Sequence, residues 1–105
     1  MITEHLENID SIINTLLKKG KNTGDELVLL FYFFSEDEDK LEALQNKLTN
    51  LGFVEDDLYE DEGEFLLDIE YHTLFSKSSM VDIITTVSTL CTSLRVEFDG
   101  WEAEV

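Results

Sequence analysis

Residues 27–34 read Leu-Val-Leu-Leu-Phe-Tyr-Phe-Phe, an apolar run without a break. Eight residues are too few to cross a bilayer, which takes about 18 or more. Both alternating parities of the run are apolar and rich in aromatic side chains, so it suits a strand in the middle of a sheet better than one at an edge. The chain of 105 residues has the length of one domain, and its 43% hydrophobic content can supply a core despite the heavy charge.

The segments around this strand carry their own periodicities. Ile2, Leu6, Ile9, Ile12, Ile13, Leu16 and Leu17 recur at helical spacing before Gly20, which predicts an amphipathic helix over residues 3–19. Its acidic residues come early and Lys18 and Lys19 late, as the helix dipole favours. After the central strand, Ser35 with Glu38 three positions on predicts a capped helix carrying Leu41, Leu44, Leu48 and Leu51 as far as Gly52. Residues 53–60 and 64–72, separated by Asp61-Glu62-Gly63, read as a hairpin; Leu67, Ile69 and Tyr71 alternate there with Asp68, Glu70 and His72. Ser78 or Ser79 then caps a third helix with Met80, Ile84, Val87 and Cys91, and residues 95–105 form a last strand.

The resulting order is a helix over residues 1–20 followed by a βαββαβ core over residues 25–105. That is the split βαβ, ferredoxin-like pattern of an α+β domain: a four-stranded antiparallel sheet with two helices on one face. The first helix either packs at an end of the sheet or covers its other face. In the last strand Val96 and Phe98 have one parity and Trp101, Ala103 and Val105 the other, with Asp99-Gly100 between them, so a bulge at Gly100 would restore a single apolar face. Trp101 is then either core behind that bulge or a partly exposed anchor of the kind that dominates interfaces.

Charge narrows the function. With 24 Asp and Glu against 7 Lys and Arg the formal net charge is −17. Direct binding to nucleic acid or to a membrane surface is unfavourable, because both rest on cations neutralising phosphate. Between Lys47 and Lys77 there is no basic residue, and Glu55, Asp56, Asp57, Glu60, Asp61, Glu62, Glu64, Asp68 and Glu70 crowd into sixteen positions. This is either a solvated hairpin that keeps the protein soluble or a docking surface for a basic protein. In the docking reading Asp68 and Glu70 in the third strand and Glu97 and Asp99 in the fourth lie on the sheet face away from the helices. Glu55, Asp56 and Asp57 extend the zone along the second strand, with Trp101 near it. If the first helix leaves that face open, one parity of residues 27–34 with Leu66 makes an apolar patch, and a homodimer is a further possibility.

Catalytic and metal-binding patterns are missing. Aligning Gly63 with the invariant glycine of an EF-hand puts Leu58 and Ile69 at ligand positions, which fails. His5, His72 and Cys91 have no zinc or Cys-His spacing, and there is neither a P-loop nor a GxGxxG motif. Clustered carboxylates show no contrast of environment that would separate an acid from a base. No cofactor or metal is expected, and the protein reads as a non-enzyme. Glu4, His5, Glu7 and Asp10 break any signal-peptide apolar stretch, and the lone Cys91 suits a reducing compartment, so a cytoplasmic location is expected.

Ile12-Ile13 with Leu16-Leu17 and Gly20, the central strand, Leu51-Gly52-Phe53, the acidic hairpin and Val96-Glu97-Phe98-Asp99-Gly100-Trp101 together resemble the ribonuclease E inhibitor B family, regulators of ribonuclease activity B. Glu102 stands where that family has a glycine. The resemblance implies a ferredoxin-like fold in a small acidic cytoplasmic protein that binds the basic scaffold region of ribonuclease E and restrains RNA decay. The same acidic scaffold would also serve an immunity protein that neutralises a basic toxin domain.

Overall fold

Strand β1 (Glu26–Ser35) takes the middle of the sheet, as its two apolar parities require. The computed structural model describes residues 6–104, so Ile2, Glu4, His5, the expected start of the first helix and Val105 lie outside the described residues. Around β1 run α1 (Ile9–Lys18), α2 (Glu38–Asn50), β2 (Val54–Asp61), β3 (Glu64–Leu74), α3 (Lys77–Leu94) and β4 (Glu97–Glu104). The strand order is β2-β3-β1-β4 with every pairing antiparallel. This is the α+β, ferredoxin-like arrangement with an additional N-terminal helix.

One face of the sheet makes the core. Leu27, Leu29, Phe31 and Phe33 of β1 are buried together with Leu67 and Ile69 of β3. They meet Leu41, Leu44 and Leu48 of α2 and Met80, Ile84, Val87 and Cys91 of α3, all buried. Burying each such large side chain contributes about 1.5–3 kcal/mol. The first helix joins this layer: α1 lies against α3 and sends Ile9 and Leu16 into the same core. Asp10 and Lys77 pair across the α1–α3 contact at 2.9 Å, although both side chains are exposed and the pair adds little. Helix α1 thus extends the helical layer, and no described element covers the opposite sheet face.

The helix caps differ from those read in the sequence. For α2 the cap is Asp37, whose carboxylate accepts from the Asp39 N–H at 3.0 Å. Ser35 is instead the buried end of β1, its hydroxyl accepting from the Asp37 N–H. For α3 the cap is Ser76, accepting from the Ser79 N–H, so Ser78 and Ser79 lie inside the first turn. Three serines within four residues satisfy the same signal, and the end of β3 decides which one is used.

The β2–β3 hairpin turns at Glu62 and Gly63, both at positive φ (51° and 86°) as a tight two-residue hairpin turn requires. The bulge expected at Gly100 is present one residue earlier. Tyr32 pairs with Gly100 and Phe33 with Phe98, leaving Asp99 as the extra residue. Trp101 then stands opposite Phe31 on the helix-facing side, partly buried against the core.

Candidate functional site

The uncovered face is built from the second parity of β1: Val28, Leu30, Tyr32 and Phe34, each half-buried. Because paired residues share a face, the registers define rows across the sheet in the order β2, β3, β1, β4. One row is Tyr59, Leu66, Phe34, Glu97. The next is Asp57, Asp68, Tyr32, Gly100, and then Val54, Glu70, Leu30, Glu102. A last row holds His72, Val28, Glu104. An apolar and aromatic stripe therefore runs along β1 between two rails of carboxylates, Asp68 and Glu70 on one side and Glu97, Glu102 and Glu104 on the other.

Hydrogen bonds fix parts of this surface. The Tyr32 hydroxyl donates to Glu102 Oε1 at 2.6 Å, and the Tyr59 hydroxyl donates more loosely to Asp68 Oδ2 at 3.4 Å. His72 Nε2 and Glu70 Oε2 lie 3.2 Å apart. Tyr32 is pushed up to about 12, first by its hydrogen bond to ionised Glu102 and then by burial. The carboxyl of Asp68 is raised above its ordinary range by partial burial; the Tyr59 hydroxyl works against this and Asp57 adds to it. At the Leu74 end of the face lies a depression of about 560 Å³ lined by Lys21, Glu26, Val28, His72, Leu74 and Glu104 among others.

Of the residues singled out in the sequence, Asp57, Asp68, Glu70 and Glu97 come together on this face. The others do not. Glu55 and Asp56 occupy a bulge in β2, Glu55 at φ 54°, and the Asp56 carboxylate accepts from Gln45 Nε2 of α2, toward the helical layer. Asp99 is the unpaired bulge residue of β4, and Trp101 is on the helix side.

Among the described residues no three His, Cys, Asp or Glu are grouped as metal ligands would be. Cys91 is buried and its thiol is pushed up to about 12, by burial first and by the charge of Glu97 second, so it is held protonated. No described helix is long and apolar enough to cross a membrane.

The sequence model of the family described as regulator of ribonuclease activity B matches residues 7–103, from α1 through β4. The chain belongs to this family. A regulator of ribonuclease activity B from Xenorhabdus nematophila is 28% identical over 106 residues, an alignment that covers 96% of this chain and 75% of that relative. In this member of the regulator of ribonuclease activity B family, Glu102 and Glu104 join the open face because the Asp99 bulge moves them to the parity of Glu97. Sequence reasoning that used the bulge to turn Trp101 inward had the signal for these two glutamates as well. It missed Tyr32 as a member of the rail, because only the fold brings Tyr32 and Glu102, seventy positions apart, into contact.

Proposed function

We propose that this protein is a non-catalytic, cytoplasmic regulator that restrains a ribonuclease by protein contact, engaging a basic segment of the enzyme such as the scaffold region of ribonuclease E. The family match carries this reading, and the net charge of −17 with an uncovered, carboxylate-railed sheet face supports it. Asp57, Asp68, Glu70 and Glu97 are the proposed contacts. Glu55, Asp56 and Asp99 strengthen the long-range field from the sheet edges, and Trp101 holds β4 to the core from behind.

The test is cleavage of an RNA substrate by ribonuclease E with the protein added. Cleavage by the full-length enzyme should slow in proportion to complex formed, and cleavage by an enzyme lacking its scaffold region should not. Absence of any complex would contradict the reading, and capture of a basic toxin domain in place of the ribonuclease would favour an immunity role.

A further inference from the structure

Gly100 is the one glycine of the five whose φ is not positive, so its backbone does not demand glycine. Nor does packing: a Cβ there would meet no atom within 4 Å. Glycine in a strand is a cost, since it forgoes packing and loses more entropy on folding than other residues. Its place is informative. Gly100 pairs with Tyr32 on the open face, in the rail where Glu97 and Glu102 supply carboxylates in the two neighbouring rows and Glu104 one row further on. The Tyr32 hydroxyl bonds Glu102 in the next row, and no atom stands within 4 Å of where a Cβ on Gly100 would be. The result is an open notch in the β4 rail, opposite Tyr32 and with carboxylates in the rows on either side.

We propose that this notch is a subsite for an arginine side chain of the basic protein segment that docks along β1. This rests on the protein-binding reading above and specifies its chemistry. A guanidinium is planar, lies flat on an aromatic face and presents a rigid fork of donors to carboxylates, whereas an ammonium is a compact, strongly hydrated point charge without that fork. The rest of the segment lies extended over Leu30, Val28 and Phe34, its apolar side chains on the stripe and its cations against Asp68 and Glu70. Both sheet edges carry bulges, at Glu55–Asp56 and at Asp99, which disfavours strand addition there and leaves the face as the contact surface. A second copy of this chain is a poor occupant, because it would press the same carboxylates against one another.

Gly100→Val separates this idea from general electrostatics, since it changes no charge. It fills the notch with a good strand former, so the thermal midpoint should hold or rise while affinity falls. Titration against ribonuclease E should show at least about tenfold weaker binding for Gly100→Val than for the wild type. A synthetic peptide interleaving arginine with serine and leucine should show the same loss, and its lysine counterpart should bind both proteins alike. If wild type and variant bind ribonuclease E equally, the notch is not a subsite, although the ribonuclease reading stands. If neither binds ribonuclease E, that reading fails and the peptides decide: an arginine-specific loss keeps the subsite, and equal binding overturns it. Should Gly100→Val fail to fold, Gly100→Ala carries the same comparison.

Discussion

A tyrosine hydroxyl 2.6 Å from a carboxylate on a sheet face is a local device with a measurable signature. Ionising Tyr32 would set a phenolate against Glu102, so its pKa is held at about 12 in place of the ordinary 10.0. Alkaline titration of tyrosine absorbance should show Tyr32 ionising late, with Tyr59 also raised by burial and by Asp68, and Glu102→Gln should return Tyr32 alone toward the ordinary range. The linkage has a definite sign. The folded-state value is raised, so the stabilisation is complete below about pH 10 and is lost as pH climbs toward 12. Equal titration of wild type and Glu102→Gln would mean that the pair does not persist in solution.

At the scale of elements β4 decides how the two faces are composed. Without the Asp99 bulge, Trp101 and Ala103 would face solvent and Glu102 and Glu104 would face the helices; with it, the aromatic ring meets the core and the carboxylates meet water. Trp101→Ala should therefore act on stability first, costing about 3 kcal/mol in urea unfolding. At concentrations where the variant is fully folded, its partner affinity should change little. Affinity lost without any loss of stability would assign Trp101 to the interface. The order of elements was legible in the sequence because periodicity and turn residues are local signals: the mixed parity of residues 27–34, the helical spacing of Leu41, Leu44 and Leu48, and Glu62-Gly63 at the hairpin. The placement of α1 was not, because its apolar face would bury equally well against α3 or on the open sheet. Likewise Asp56 has the composition of a docking residue, and only the β2 bulge turns it toward Gln45.

For the whole molecule, charge and apolar surface oppose each other on one face. In the proposed docking reading the stripe of Val28, Leu30, Tyr32 and Phe34 favours association, and the rails select for a cationic segment over another acidic chain. The two associations respond to salt with opposite signs. Screening weakens attraction for a basic partner, as the Debye length contracts from about 10 Å at 0.1 M to about 3 Å at 1 M, and it relieves repulsion between copies. The most direct measurement is the affinity for ribonuclease E across that salt range, for the wild type and for a folded variant with Asp68, Glu70, Glu97 and Glu102 reversed to lysine. An acidic docking face predicts wild-type binding that falls steeply with salt and a variant that scarcely binds at low salt. Equal affinity and equal salt dependence in the two proteins would contradict it.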